Sequence, residues 1–138
     1  MKPFPLEILT PEKQFFSDEV EALIITTTDG ELTILHGHAA ISVPLVLGKI
    51  QLKQGSQWRD AFQSEGFLEV DEGGAHVFVQ ACEWPEDIDA RRAEDAAHRA
   101  IERLRQQRSQ NEYQWSRTSL ARAMARLRVI QNRVNLGD

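Results

Sequence analysis

The distribution of glycine and proline is the feature that most limits how this chain can fold. All five prolines and seven of the eight glycines lie at or before Pro85, and only Gly137 lies beyond it. Charge changes at the same point, from 5 basic and 13 acidic residues up to Pro85 to 11 arginines and 8 acidic residues from Glu86 onward. Glycine and proline interrupt helices and mark turns. We therefore expect two differently built domains, residues 1–85 and residues 86–138.

The first domain contains short apolar runs that end at turn residues. Residues 20–28 are rich in Val, Ile and Thr and end at Asp29-Gly30, a strong hairpin signal. Residues 41–47 form a largely apolar stretch that includes Pro44, which predicts an edge or bulged strand. Further strands are predicted around Leu6, Leu32, Ile50, Phe67 and His76. Strands at this spacing predict an antiparallel β-sandwich or flattened barrel.

The second domain has apolar residues at helical spacing. Ala93, Ala97, Ala100, Ile101 and Leu104 form one stripe. Leu120, Met124, Leu127, Ile130 and Val134 form another. We expect acidic residues in the first turn of the first helix and Asn111 as the N-cap of the second. Because residues 108–110 allow only a short connection, the two stripes predict an antiparallel two-helix hairpin.

The first stripe consists mostly of alanine, which buries little apolar area. At about 25 cal/mol per Å², such a seam stabilises a hairpin much less than a leucine seam. One interpretation is a marginally stable element that small ligand energies can switch. The other is that small residues simply allow two helices to pack closely.

Arginines provide the main candidate binding site. At about 100° per residue, Arg99 lies ~20° and Asp89 ~60° from Arg92 around the first helix. Arg122 and Arg126 are neighbours on the second helix, and a turn near position 110 brings Arg99 and Arg122 to similar heights. Guanidinium groups in one zone repel each other unless an anion lies between them, and they suit phosphate oxygens. The same spacing also fits a solvated face with acidic partners, namely Glu94, Asp95 and Glu102.

Other motifs give little reason to expect catalysis. His36 and His38 flank a glycine, which is more typical of a turn than of a metal site. Cys82 is the single cysteine and is expected to be a small buried apolar residue. Phosphate-binding glycine loops and Ser-His-Asp signatures are absent from the sequence. The net charge of −5 disfavours general nucleic-acid binding, and the apolar runs are too short for insertion into a bilayer.

Four motifs together resemble the epsilon subunit of the bacterial F-type ATP synthase. Residues 30–38 are GELTILHGH, residues 66–70 are GFLEV, and residues 121–127 are ARAMARL. Residues 88–93, IDARRA, match the family's nucleotide motif I/L-D-x-x-R-A. Each motif is weak alone, but all four occur in the family's order and at its spacing.

The resemblance implies a non-catalytic rotor subunit on the cytoplasmic face of the bacterial plasma membrane. The sandwich is expected to bind the gamma subunit and the c-ring. The hairpin is expected to bind ATP as a regulatory ligand when folded and to inhibit ATP hydrolysis when extended into the alpha/beta catalytic head. Magnesium involvement is left open, and no catalytic cofactor is expected. The second-helix arginines implied to reach acidic loops of the head are Arg117, Arg122, Arg126, Arg128 and Arg133.

The resemblance also implies particular site residues. The nucleotide-binding positions are Glu83, Ile88, Asp89, Arg92, Ala93, Arg99, Arg122 and Arg126. Acidic and backbone groups near the first three are expected to contact adenine, and the arginines to hold phosphate. Glu31 and His38 correspond to positions that face the c-ring. This chain departs from the family pattern at Thr33, His36 and Glu65, where glycine, proline and glycine are common.

An arginine-bearing hairpin also fits a different class of protein. In this alternative, the chain is a standalone adaptor that binds RNA or an acidic protein. It predicts steeply salt-dependent binding without nucleotide specificity.

Overall fold

The structure is a computed structural model that describes residues 1–106 and 110–136, with side chains in the second range described up to Gln131. The chain divides into two compact units, Met1–Glu83 and Trp84–Asp138. Each unit is described separately below. Among the described helices, none combines the length and apolar character needed to cross a membrane.

The first unit is a β-sandwich. Its strands are β1 (Phe4–Leu9), β2 (Gln14–Val20), β3 (Ala22–Thr27), β4 (Gly30–Leu35), β5 (Ile41–Leu45), β6 (Gly48–Gln54), β7 (Gln57–Gln63), β8 (Gly66–Asp71), β9 (Gly74–Val79) and β10 (Cys82–Glu83). They are ordered β10-β7-β6-β3-β5-β8-β9-β1-β2, and β4 pairs with β3. The pairs are antiparallel except for β1 and β9, which run parallel. The predicted sandwich is confirmed, with this one parallel pair added.

Alternating residues build the core of the sandwich. Ile8, Leu23, Ile50, Leu68 and Val77 are fully buried, and their chain neighbours on each strand point to the other face. A period of two is what an antiparallel sheet with one packed face requires.

Two local features explain how strands turn and end. Thr27 pairs with Gly30, so the β3–β4 loop consists of Thr28 and Asp29, and Gly30 opens β4 with φ +109°. The hairpin therefore lies one residue earlier than Asp29-Gly30. Strand β5 pairs along its length with β8 and meets β3 only at Leu45, which confirms the edge character predicted from Pro44.

Strands β2, β7 and β10 were not predicted from the sequence. Strand β2 is FFSDE at its centre and, among the described strands, pairs only with β1, so little of it is buried. Strand β7 contains a buried aspartate, Asp60, which breaks the expected apolar alternation. Strand β10 has only two residues.

The second unit begins with a 3₁₀ helix, Pro85–Asp87, followed by helix α1, Ala90–Gln106. Ala93, Ala97 and Ala100 are buried, which confirms the predicted alanine stripe. Ile101 is 36% exposed and lies outside that stripe. The prediction that Glu86, Asp87 and Asp89 lie in the first turn of α1 was wrong, because Glu86 and Asp87 belong to the 3₁₀ helix and Asp89 precedes the first residue of α1.

Helix α2 spans Gln110–Leu136 and packs against α1 and the 3₁₀ helix. Asn111 lies inside α2, so its prediction as an N-cap was wrong. The second stripe was also partly wrong, because Met124 is 40% exposed. The buried residues are instead small or β-branched: Ser116, Ala123, Ala125 and Val129. The predicted connection at residues 108–109 and the side chain of Val134 lie outside the described residues.

Candidate functional site

The IDARRA motif forms the start of helix α1. The carboxylate of Asp89 accepts a hydrogen bond from the backbone N–H of Arg92 through Oδ1 at 3.0 Å. The carbonyl of Asp89 accepts the N–H of Ala93 at 3.0 Å. Asp89 is therefore the N-cap of α1, and it satisfies one of the donors that a helix N-terminus leaves unpaired.

The residue before the cap has extended backbone. Ile88 has φ −85° and ψ 126°, donates its N–H to the carbonyl of Pro85, and is largely buried. The chain therefore passes from the 3₁₀ helix to α1 through two non-helical residues. Ala93 faces the buried side of α1, whereas Arg92 and Arg99 are exposed. Residues of the motif thus lie on two sides of α1, with Ala93 on the buried side and Arg92 on the exposed, charged side.

The heights of the arginines follow from a contact between the two helices. The guanidinium carbon of Arg103 lies 4.6 Å from the ring centroid of Trp115. Arg92 precedes Arg103 by 11 residues, and Arg126 follows Trp115 by 11, which places these two at about the same height on antiparallel helices.

The other two arginines are offset from each other. Arg99 precedes Arg103 by 4 residues, and Arg122 follows Trp115 by 7. At 1.5 Å per residue, their heights differ by about 4.5 Å. The expectation that these two are level, which assumed a turn near position 110, is therefore replaced by an offset of about three residues, less than one helical turn.

Acidic residues pair with only some of the arginines on α1 in the part of the chain that the structure describes. Glu102 forms an ion pair with Arg105 at 3.3 Å. Within the described residues, Arg92 and Arg99 form no ion pair within 4.0 Å. Arg122 is exposed and Arg126 is half-buried, and both have other interactions. Two exposed cations on α1 thus remain available for an anionic ligand.

Glu83 belongs to the other unit. It is the last residue of β10 and is aligned with Phe62 of β7. The remaining predicted nucleotide residues, Ile88 to Arg126, lie in the helical unit.

Glu31 and His38 lie at opposite ends of strand β4. Glu31 is the second residue of the strand, and His38 follows its end, where the ring Nδ1 lies 2.8 Å from the carbonyl oxygen of Ala39. At about 3.4 Å per residue, the length of β4 between them exceeds 10 Å, so the two side chains are not neighbours. A cavity of about 520 Å³ is lined by His36, His38, Leu35 and Glu72 but not by Glu31.

The histidines form a turn, as predicted. Gly37 between them has φ +78°, a conformation that favours glycine. In the described part of the chain, no three His, Cys, Asp or Glu side chains are grouped so that they could hold a metal ion.

Cys82 is buried, as predicted. Burial raises the pKa of its thiol to about 12, with the nearby Glu83 carboxylate adding to the shift. The thiol therefore stays protonated at neutral pH and lacks the thiolate that a nucleophile or metal ligand needs.

Comparisons with known proteins cover nearly the whole chain. Residues 3–85 match the family "ATP synthase, Delta/Epsilon chain, beta-sandwich domain", and residues 86–131 match "ATP synthase, Delta/Epsilon chain, long alpha-helix domain". The chain belongs to the ATP synthase delta/epsilon chain family.

Similar members of this family are bacterial ATP synthase epsilon chains. One from Caldanaerobacter subterraneus is 43% identical over 93% of this chain and 94% of its own length. One from Caldicellulosiruptor saccharolyticus is 41% identical over the full length of both. The similarity to the epsilon subunit inferred from the four motifs is thus confirmed.

Solved structures show that the delta/epsilon fold extends to distant proteins. A chain in the Euglena gracilis mitochondrial ATP synthase superposes with a TM-score of 0.80 at 18% identity, covering 96% of this chain and 81% of that chain. A chain of the Tetrahymena thermophila mitochondrial ATP synthase superposes with a TM-score of 0.70 at 13% identity, covering 94% and 97%.

The three departures from the family pattern lie in a strand, in a turn and in a connection between strands. Thr33 is within β4, and His36 is in the turn after it. Glu65 lies between β7 and β8, where its carbonyl accepts the N–H of Gln80 at 3.3 Å.

Sequence reasoning missed the Arg103–Trp115 contact. Arginine and tryptophan spaced symmetrically about a predicted turn are the signal that could have found it.

Proposed function

We propose that this chain is the epsilon subunit of a bacterial F-type ATP synthase and part of its rotor. In this role the sandwich binds the gamma subunit and the c-ring, and the chain is a non-catalytic, peripheral component on the cytoplasmic face of the plasma membrane. The observation that carries the proposal is the match of both domains, in series, to the delta/epsilon chain family.

We further propose that the folded hairpin binds ATP. The exposed guanidinium groups of Arg92 and Arg99 lack ion pairs in the described part of the chain, and Arg126 lies level with Arg92. A triphosphate supplies the negative charge that such groups need, and planar guanidinium forks suit its oxygens. Arg122 extends the same zone, while Glu83, Ile88 and Asp89 are the candidates for contacts to adenine.

ATP binding then regulates the hairpin through mass action. If ATP binds only the folded hairpin, it stabilises that state by RT ln(1 + [ATP]/Kd), or about 2.7 kcal/mol at a hundredfold excess over Kd. Up to Gln131, the buried residues of both helices are small or β-branched, mainly alanine, so the apolar area that they contribute to holding the hairpin closed is limited. An energy of this size is sufficient to shift such an equilibrium.

The extended hairpin, in turn, inhibits ATP hydrolysis. Its arginines would contact acidic loops of the alpha/beta head, and Arg122 and Arg126 would serve in both states. ATP and the inhibited complex therefore compete for the same side chains. Arg117 and Arg128 are exposed on α2, whereas the side chain of Arg133 lies outside the described residues.

Calorimetric titration of ATP into the full chain tests the nucleotide site. We expect Arg92→Ala and Arg126→Ala each to weaken binding at least about tenfold, because each removes a charge-assisted contact to phosphate. Arg91→Ala is the matched control, since Arg91 is an exposed arginine in the same helical turn but ~100° away around the helix. Its affinity should stay within about twofold to threefold of the wild type.

Two further titrations define the ligand. ATP with and without Mg²⁺ shows whether the metal takes part in binding. GTP and polyphosphate separate a nucleotide site from the arginine-adaptor alternative, which predicts equal binding of any polyanion and a steep salt dependence. Equal affinities of the wild type and both arginine variants for ATP would show that the site is assigned wrongly.

A further inference from the structure

The arginines of helix α1 form a line that is longer than the proposed phosphate site. At about 100° per residue, Arg99 and Arg103 each lie within ~20° of Arg92 around the helix. All three side chains are exposed. From Arg92 to Arg103 the line rises by about 16 Å, at 1.5 Å per residue. It therefore extends past Arg99 to the end of the helix that is nearest the connection to α2.

Helix α2 has the same arrangement, with a tryptophan in place of one arginine. Arg122 and Arg126 each lie within ~20° of Trp115 around the helix. The guanidinium carbon of Arg103 lies 4.6 Å from the ring centroid of Trp115, so the two lines meet at this end of the hairpin.

Both lines lie on the same side of the hairpin. On α1, the buried Ala93 and Ala100 are rotated by ~80° to ~100° from the arginine line, and on α2 the buried Ser116 and Ala123 are rotated from Trp115 by the same angles and in the same sense. Because the helices are antiparallel, equal rotations from their common seam bring both lines to one side. We call it the cationic side; it carries Arg92, Arg99, Arg103, Trp115, Arg122 and Arg126.

Trp115 presents an open aromatic surface at the end of the cationic side. Its side chain belongs to a residue that is 58% exposed, although the Arg103 guanidinium covers one face of the indole. The opposite face is therefore open to a planar group. Aromatic rings beside a track of positive charge are a combination on which nucleobases stack while their phosphates follow the charges.

A single ATP molecule does not use both ends of the cationic side. The proposed adenine contacts in the helical unit, Ile88 and Asp89, precede Arg92, whereas Trp115 is level with Arg103 at the other end. The arginines lie between these two ends. A ligand with a base at each end and phosphates between them matches this order.

We propose that the cationic side binds dinucleoside polyphosphates, in which two nucleosides are joined through four or more phosphates. The first base lies at Asp89, the phosphate chain follows the arginines of both helices, and the second base stacks on Trp115. The inference rests on the proposed nucleotide site, to which it adds one subsite for a base.

Two simpler anions would use only part of the cationic side. Inorganic polyphosphate contacts guanidinium groups but has no planar group for Trp115. Adenosine 5′-tetraphosphate has the phosphates and the first base but no second base. These two ligands therefore separate recognition of charge from recognition of the second base.

Calorimetric titration of the full-length chain tests the second subsite. We expect diadenosine tetraphosphate to bind at least about tenfold more tightly than adenosine 5′-tetraphosphate, because both have four phosphates but only the former has a base that can stack on Trp115. Trp115→Ala should reduce this ratio to less than about threefold and leave ATP affinity within about twofold of the wild type. Trp58→Ala is the matched control, since Trp58 is 44% exposed but lies on β7, and it should keep the wild-type ratio.

Fluorescence locates the second base without removing the aromatic ring. In the wild type, diadenosine tetraphosphate should quench indole emission more than adenosine 5′-tetraphosphate does. In Trp115→Phe the extra quenching should disappear while the affinity ratio is largely kept, because a phenyl ring still stacks. Circular dichroism melts verify that each variant is folded. If Trp115→Ala unfolds, Trp115→Phe decides, and extra quenching that persists in it contradicts the subsite.

The outcomes separate this subsite from the function on which it rests. Absence of ATP binding by the wild type overturns the proposed nucleotide site and the subsite with it. ATP binding with equal affinities for the two tetraphosphates, or a ratio that Trp115→Ala leaves unchanged, overturns the subsite alone. Two chains per dinucleotide in sedimentation also overturn it, because each base would then occupy the ATP site of a separate chain. Inorganic polyphosphate that binds as tightly as the dinucleotide shows recognition of charge only and likewise overturns it.

Discussion

Asp89, a residue of the IDARRA motif, has a structural role of its own. Its carboxylate accepts the backbone N–H of Arg92, three residues later, at the start of α1. An aspartate at this position is also favoured by the partial positive charge of a helix N-terminus. The aspartate therefore helps to position Arg92 whether or not its second oxygen contacts a ligand.

Substitutions at Asp89 separate the two roles. We expect Asp89→Ala to destabilise the hairpin by about 1 kcal/mol, because the cap is lost, whereas Asp89→Ser keeps most of the stability. Thermal melts followed at 222 nm measure the difference. If Asp89 also contacts adenine, as proposed, Asp89→Ser should bind ATP more weakly despite its stability. Equal melting of the two variants would show that capping contributes nothing.

Gly66 illustrates a residue that close packing requires. A Cβ at this position would overlap the backbone carbonyl of Phe78 on the neighbouring strand. The glycine of the GFLEV motif is therefore explained by the approach of β9 to β8. No ligand is needed to account for it.

At the scale of elements, the described seam between α1 and α2 consists mainly of small residues on both helices. The sequence predicted alanine on α1 facing leucines, but Leu120 and Leu127 are only half-buried while Ser116 and Ala123 are buried. The hydroxyl of Ser116 is buried, and it makes no hydrogen bond within the described part of the chain. A buried polar group without a partner opposes closure of the hairpin.

Ser116→Ala should therefore stabilise the folded hairpin by about 1 kcal/mol, because it removes an unsatisfied hydroxyl and raises helix propensity. Thermal melts of the full chain measure this effect. Ser119→Ala is the control for helix propensity, since Ser119 is half-exposed on the same helix. A gain that is no larger for Ser116→Ala than for the control would show that the buried hydroxyl carries no cost.

At the scale of the whole molecule, the proposed function assigns different tasks to the two domains. In that proposal, the sandwich stays bound to the rotor and the arginine-bearing hairpin is the regulatory part. Removal of the hairpin should therefore leave assembly intact but change the control of hydrolysis.

Truncation after Pro85 in the reconstituted complex tests this division. We expect ATP hydrolysis by the assembled complex to rise severalfold, because the inhibitory segment is gone, and its dependence on ATP preincubation to disappear. The complex with the full chain is the reference, and copurification of the truncated chain with the gamma subunit checks assembly. Unchanged hydrolysis by a fully assembled complex would remove the inhibitory role.

Local sequence determined the type of most elements. Gly30 and the residues before it produce a hairpin because glycine alone adopts positive φ without strain. Pro44 places β5 largely at an edge because it has no N–H to donate. Ala93, Ala97 and Ala100 repeat at helical spacing and are buried as a result. Each of these outcomes depends on the backbone chemistry of a few adjacent residues.

Tertiary structure alone decided the pairing of distant segments. Strand β1 lies parallel to β9, and this pairing aligns Leu9 with Phe78 although 68 residues separate them in the chain. Likewise, the Arg103–Trp115 contact indicates that Arg92 and Arg126 lie at about the same height on the two helices. The arginines and phenylalanines are visible in the sequence, but their alignment depends on register and packing between residues far apart in the chain. Periodicity within one segment contains no information about that register.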